Sequence, residues 1–447
     1  MKRRNRSLAL AAALALILAL LAGCGGTESA DPAGEAGAGT ADAPVYGDGV
    51  IGGTGVAEAP EPEVFYEAAL TADTAAEDSA VPGVGIITDP VPSVEPFVIE
   101  PPPGAEITPQ AGLLTAGTWN DNENFALFTE VLGREEWQEL RKLWSLRPTR
   151  RYAVRVTDAD QAPVRGALVE LLRGGETIAS AVTDHNGDAF VYCDLAGGGQ
   201  YEPDAVRATY GGAAAARDGV RAEERTELTL DASAAAGEKT LDLMFVVDTT
   251  GSMGDELEFL KEELNDVIRR VSNANEGMRV RLSVNFYRDE GDEYEVKYFA
   301  FTEDIDKALE NLRAQSSAGG GDTPEAVDTA LENAVNGHEW YDGSVKLLFF
   351  VLDAPPHSDR QGTPERMRDN IAAAARRGIR ILPVVSSGAD TETEFLMRTA
   401  AAVTGGAYVF LTDDSGIGYS HLEPTIGDYD VYPLNTLLVD LINEYCG

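Results

Sequence analysis

Apolar residues run unbroken through Leu243–Val247 and again through Leu347–Leu352. Runs of that length, ended by turn residues, suit strands buried on both faces of a parallel sheet; strands with one wet face alternate instead. Between such runs the apolar residues recur every three to four positions, the spacing of amphipathic helices. The two patterns alternate over residues 237–447. They predict strands at 241–247, 278–287, 345–352, 379–385 and 407–411. Helices are predicted at 255–272, 304–315, 324–336, 364–377, 392–404 and 434–445, and residues 293–301 as an antiparallel edge strand. This alternation predicts an α/β fold, doubly wound, with a mostly parallel sheet covered on both faces. Roughly 210 residues is ample for one such domain.

Upstream the pattern changes. Residues 150–235 contain short runs with partial alternation, among them YAVRVTD, LVELLRG and TIASAVTD, and a turn signal, Asp-His-Asn-Gly-Asp, at 184–188. They predict a smaller all-β sandwich domain. Asp184, Asn186 and Asp188 alternate as in a calcium loop, but no bidentate Glu follows at the right spacing, which favours a plain turn. Residues 111–149 form an aromatic-rich helical segment with Trp119, Phe125, Phe128, Trp137, Leu140 and Trp144. Thr118 or Asn120 is placed to cap its first helix and Gly133 to end it. Such a stripe either packs on a neighbouring domain, the commoner case, or forms a binding surface.

Charge narrows the function. The chain has 35 Lys and Arg against 75 Asp and Glu, a net charge of −40. That argues against nucleic acid or an anionic membrane surface as partner. Lys2, Arg3, Arg4 and Arg6 precede an apolar stretch from Ser7 to Leu21. The stretch is short for a membrane span and reads as a secretory signal. Leu21-Ala22-Gly23-Cys24 resembles a bacterial lipobox. The resemblance implies a lipoprotein signal peptide over residues 1–23, with Cys24 acylated and holding the protein to a membrane. Loss of residues 1–23 removes four positive charges and takes −40 to −44. Residues 24–110 are rich in Ala, Gly, Pro, Asp and Glu; from 25 to 110 there are 16 acidic residues and no Lys or Arg. Such a composition predicts a disordered acidic tether. Residues 232–237, ASAAAG, read as a linker. Cys193 and Cys446 fall in different predicted domains, and their pairing is left open.

The candidate chemistry lies at strand ends. Residues 241–254 read LDLMFVVDTTGSMG, so Asp248, Thr250 and Ser252 follow a buried strand. Open α/β sheets place their ligands at that end. Alone, the stretch fits either a helix cap by Ser252 or a set of hard oxygen ligands for Mg²⁺. Two distant stretches favour the metal. In GGGDTPEA, 319–326, Thr323 precedes Pro324 at a predicted helix start; in KLLFFVLDAPPH, 346–357, a second buried strand ends in Asp353.

These pieces together resemble a von Willebrand factor type A domain over roughly residues 237–447. The metal-ion-dependent adhesion site of that family is built from D-x-[ST]-x-S, a distant Thr and a distant Asp, and Asp248, Thr250, Ser252, Thr323 and Asp353 match it. Thr250 stands where Ser is commoner and keeps the hydroxyl. The segments DTTGSM, YRD, GGGDTPEA and DAPPH, and LTAG-x-WND upstream, resemble a bacterial and hemicentin-like branch. The β-rich segment resembles carboxypeptidase-regulatory or collagen-adhesin B modules; it has no lysine, which excludes an internal Lys–Asn isopeptide bond.

The resemblance implies a fold of the von Willebrand factor A, Rossmann-like type, and Mg²⁺, with Mn²⁺ or Ca²⁺ as alternatives. A protein partner's Asp or Glu would complete the metal shell. The expected protein is a lipid-anchored binder on the outside of a bacterial envelope. An envelope scaffold, or less readily a metal-dependent hydrolase, is the alternative. No enzyme is expected, since there is no zinc-type His pair, G-x-S-x-G elbow or P-loop, and the four His (185, 338, 357, 421) are far apart. Around the site, Glu325 is assigned to a helix dipole and Asp322 is left open. Asp289 is assigned a supporting role or a pairing with Arg288 or Lys297. His357 is read as structural or pH-sensitive. The long loop 413–433 is expected either to rim the site or to cover the sheet edge.

Overall fold

The computed structural model describes residues 108–447, except 198, 200, 201, 223, 232–239 and 275–276. The expected signal peptide, Cys24, nearly all of the tether and the linker lie outside the described residues. Among the described residues no helix is long and apolar enough to cross a membrane.

The chain begins with strand β1 (Thr115–Trp119) and helices α1 (Phe125–Leu132) and α2 (Glu135–Leu143). Thr118, expected to cap a helix, instead lies inside a strand. Asn124 occupies the cap position of α1, and Gly133 ends the helix as expected. Glu135 and Glu136 open α2 and Arg141 and Lys142 close it, in accord with the helix dipole.

A two-sheet sandwich follows. Its strands are β2 (Arg151–Asp158), β3 (Leu168–Arg173), β4 (Glu176–Val182), β5 (Asp188–Tyr192), β6 (Ala205–Tyr210), β7 (Ala213–Asp218) and β8 (Thr226–Leu230). One sheet has the order β5-β2-β8, the other β4-β3-β6-β7. Every second residue of β2 is buried, as a strand with one core face requires. Asp184 Oδ1 accepts the backbone N–H groups of Asn186 and Asp188, at 2.9 and 2.8 Å. The acidic loop is thus closed on itself as a turn.

The α/β part comprises β9 (Thr240–Asp248), α3 (Leu257–Ala274), β10 (Arg279–Tyr287), β11 (Val296–Lys297), α4 (Ile305–Arg313), α5 (Val327–Asn336) and β12 (Val345–Leu352). It continues with α6 (Thr363–Arg377), β13 (Ile379–Val385), α7 (Thr391–Thr404), β14 (Tyr408–Leu411), β15 (Tyr432–Pro433) and α8 (Leu434–Cys446). The sheet order is β11-β10-β9-β12-β13-β14-β1-β15. The five strands from β10 to β14 in that order run parallel, while β11, β1 and β15 pair antiparallel. All nine residues of β9 are buried, which explains its unbroken apolar run. Met244 and Val246 join one core, and Leu243, Phe245 and Val247 the other.

Three expectations need correction. The strand at 293–301 shrinks to Val296–Lys297, because Asn285 Oδ1 accepts the N–H of Phe299 and Ser283 Oγ donates to its carbonyl. Side chains thus replace the ladder. The helix expected from 324 begins at Val327, because Glu325 N–H bonds to Pro355 O in extended backbone. The aromatic segment, expected to start in a helix, starts as a sheet strand: β1 pairs with β14 from Ala116↔Leu411 to Trp119↔Tyr408. Gly117 makes this possible, since a Cβ there would lie 2.4 Å from the Phe410 ring. The aromatic stripe is core. Trp137 stands edge-on to Phe395 of α7 at 5.6 Å, and Trp144 Nε1 donates to Glu392 at 2.7 Å.

Candidate metal centre

Asp248 is the last residue of β9. The neighbouring strand β12 is in register Val351↔Val247, so Asp353 follows one residue past the level of Asp248. Both carboxylates are buried. Thr250 is buried too, and Ser252 is exposed. The loop is tied to its own aspartate: Thr250 N–H and Thr250 Oγ1 donate to Asp248 Oδ1 at 2.8 and 2.7 Å. Thr250 Oγ1 and Ser252 Oγ are 3.0 Å apart. These bonds occupy one oxygen of Asp248. The other, Oδ2, is buried without a hydrogen bond of normal geometry, although the buried Tyr287 hydroxyl is close enough to pull Asp248 down; Asp353 Oδ1 and Glu325 Oε2 are also buried and unbonded. Both oxygens of Asp255, which acts on Asp353, are likewise buried without a hydrogen bond. An unsatisfied buried carboxylate oxygen is costly, and a cation would satisfy these.

Electrostatics agree. Burial, then Asp353, pushes Asp248 up to about 7, against the pull of Thr250. Burial pushes Asp353 up to about 6, partly offset by the Ser252 hydroxyl. Burial, then Asp248, Asp289 and Asp353, pushes Glu325 up to about 9. The nearby buried Arg288 gives its donors to Thr249 O and Ser316 O and pairs with Glu293. Carboxylates and hydroxyls with free oxygens are the donor set of a hard divalent cation, so the residues fit Mg²⁺.

Thr323 is the exception among the five expected ligands. It is exposed, and among the described residues its hydroxyl has no hydrogen bond to the other four. Its loop does lie on the site. Gly251 N–H bonds to Gly319 O and Ala318 N–H to Thr249 O. A Cβ on Gly320 would stand 2.9 Å from Glu325 Oε1 and 3.4 Å from Thr250 Cβ. Glu325, expected to serve a helix dipole, is instead buried beside the aspartates in extended backbone. The sequence pattern assigns Tyr287 no role. It is level with Asp248, stacks on Phe350 and has a fully buried hydroxyl. A strand ending in YRD was the available signal.

The rim differs from expectation in detail. Asp289 pairs with His357 at 2.8 Å and Arg360 at 3.6 Å rather than with Arg288 or Lys297. Asp289, Asp322 and His357 bring one ligand atom each within 4.8 Å of one another. Loop 413–433 does both jobs proposed for it. Tyr432–Pro433 pairs with β1 at the sheet edge. His421 bridges Asp413 and Glu256, at 2.8 and 2.9 Å, and Glu256 in turn lies close enough to raise Asp353.

Residues 242–416 match the von Willebrand factor A domain family. That part of the chain is a von Willebrand factor A domain, with a mixed, mostly parallel sheet flanked by helices. An ariadne-like RING finger protein, R811, of Acanthamoeba polyphaga mimivirus is 27% identical over 191 residues, 38% of this chain. The chain spans only 18% of that protein's length. The crystal structure of the conserved hypothetical protein BatB from Bacteroides thetaiotaomicron covers 46% of this chain and 98% of its own, at 14% identity and a TM-score of 0.33.

Proposed function

We propose that the protein binds another protein through a divalent cation at the ends of β9 and β12. The supporting observation is a set of buried carboxylate oxygens that accept no hydrogen bond, among them one each on Asp248, Asp353 and Glu325, beside the hydroxyls of Thr250 and Ser252. Asp248, Thr250, Ser252 and Asp353 would hold Mg²⁺, with Thr323 joining from the glycine-rich loop. The cation would supply a positive centre for a partner's Asp or Glu. This chain's own part is to position the oxygens, to keep β9 and β12 rigid behind them, and to present Ser252 and the 319–323 loop to solvent. Two neutral hydroxyls leave the ion more of its charge than a wholly anionic shell would. With acylation at Cys24 the acidic segment that follows would hold the domain away from the lipid, outside a bacterial cell. The test is capture of the partner from cell-envelope extract with and without EDTA, using wild type and Thr323→Ala. Capture restored by Mg²⁺ in wild type and lost in the variant supports the proposal; capture indifferent to chelator contradicts it.

A further inference from the structure

The other end of the sheet carries a cluster of the opposite charge. A cleft of about 1090 Å³ lies between the β-sandwich and the A domain, at the amino-terminal ends of β9, β10 and β12. Arg165 of the sandwich and Lys346, Arg376, Arg377 and Arg380 of the A domain line it. Two acidic side chains, Asp184 and Asp342, face the same space, and so does Gly447 with its terminal carboxylate. Arg279, also in the wall, pairs with Glu303. In a chain of net charge −40 such a concentration of cations runs against the composition.

Their hydrogen bonds go to carbonyls. Arg165 Nη1 donates to Cys446 O at 3.0 Å and Lys346 Nζ to Arg377 O at 3.3 Å. Arg377 donates to Val335 O. Arg380 donates to Thr404 O at 2.7 Å and Val182 O at 2.8 Å. Among the described residues none of the five forms an ion pair with a carboxylate. Carbonyls fix the side chains without neutralising them. Part of this is architectural: Arg376 and Arg377 end α6, and Arg165 and Arg380 tie the sandwich to the A domain. Neither task needs five cations around an open space. Burial holds Lys346 and Arg380 below their ordinary values, against the opposing pull of Asp342 and Asp242 on Lys346 and of Asp184 on Arg380.

We propose that this cleft binds a small molecule carrying phosphate or sulfate, its oxyanion taken by the arginine forks and Lys346, and its body lying against the exposed face of Tyr341. Guanidinium groups match oxyanions in shape as well as charge, and Lys346 adds a point charge. The volume is larger than a bare anion needs. The proposal does not rest on the metal site, which lies at the opposite ends of the same strands.

The test is calorimetric titration of the full chain with inorganic phosphate, sulfate, glucose 6-phosphate and a peptide of residues 58–67, sequence EAPEPEVFYE. Phosphate and sulfate are expected to compete for one saturable site. Arg376→Gln, at an exposed position, and Lys346→Gln are each expected to weaken both by roughly tenfold, leaving the melting temperature and Mg²⁺ binding unchanged. Tighter binding of glucose 6-phosphate than of phosphate identifies a phosphate ester as the ligand; equal binding identifies the free anion. No saturable phosphate binding, equal binding to both variants, or a peptide that outbinds every phosphate probe overturns the proposal.

Discussion

Asp248 and Asp353 end two neighbouring parallel strands, and each buries one carboxylate oxygen that no protein group satisfies. Burial holds both well above the ordinary aspartate range. The relationship has a cost in the metal-free protein.

The cost is read by pH. An unfolded aspartate titrates at about 3.9, Asp248 in the fold at about 7 and Glu325 at about 9. A carboxylate raised in the fold contributes its stability in full below the unfolded value. That contribution is lost as pH rises through the folded value. In EDTA the melting temperature is therefore expected to fall between pH 5 and 9, and Mg²⁺ to flatten the decline. Asp248→Asn in EDTA should exceed wild type at pH 8 by on the order of 2–4 kcal/mol. Calorimetry across pH checks both; a chelated wild type that gains stability over this range would exclude them.

Thr250 separates the hydroxyl from the fold. Its Oγ1 bonds to Asp248 and touches Ser252. Thr250→Ser keeps the oxygen and is expected to bind Mg²⁺ within about threefold of wild type. Thr250→Ala is expected to lose roughly 10–100-fold. Equal affinity in the two variants would mean that the hydroxyl is only structural.

Gly320 tests the loop above the site. Its φ is +73° and an added Cβ would press on Glu325 Oε1 at 2.9 Å. Gly320→Ala is expected to cost about 1–3 kcal/mol and to weaken Mg²⁺ binding. Denaturant melts and metal titration give the two readouts; a variant indistinguishable from wild type in both would mean the loop does not bear on the site.

Much of this architecture was legible in the sequence. The runs ending at Asp248 and Asp353 announced buried parallel strands because both faces of β9 and β12 meet apolar cores. D-x-T-x-S marked the loop because the local bonds of Thr250 and Asp248 need only those residues. Residues fixed by distant partners stayed hidden. β1, Thr-Ala-Gly-Thr-Trp, has little apolar pattern and is a strand because β14 offers it an edge. Pro324-Glu325 resembles a helix start, and the bonds of Glu325 N–H to Pro355 O and of Ala326 N–H to Arg288 O, both distant in the chain, hold it extended.

The attachment of β1 and α1 rests on a buried ion cluster. Arg398 donates to Asp121 at 2.7 and 2.9 Å and to Glu394 at 2.9 Å, all three buried. Removing one partner strands the others in low dielectric. Arg398→Met is expected to destabilise the protein by about 3–5 kcal/mol, read by denaturant midpoint. Little change would place the 115–132 segment outside the cooperative fold.

The most direct test is titration of Mg²⁺, with Mn²⁺ as a spectroscopic check, into chelated wild type, Asp248→Ala and Asp353→Asn, with circular dichroism confirming that each is folded. We expect saturable binding in wild type and a loss of roughly 100-fold or more in both variants. Folded variants that bind either ion as tightly as wild type would contradict a cation at the ends of β9 and β12.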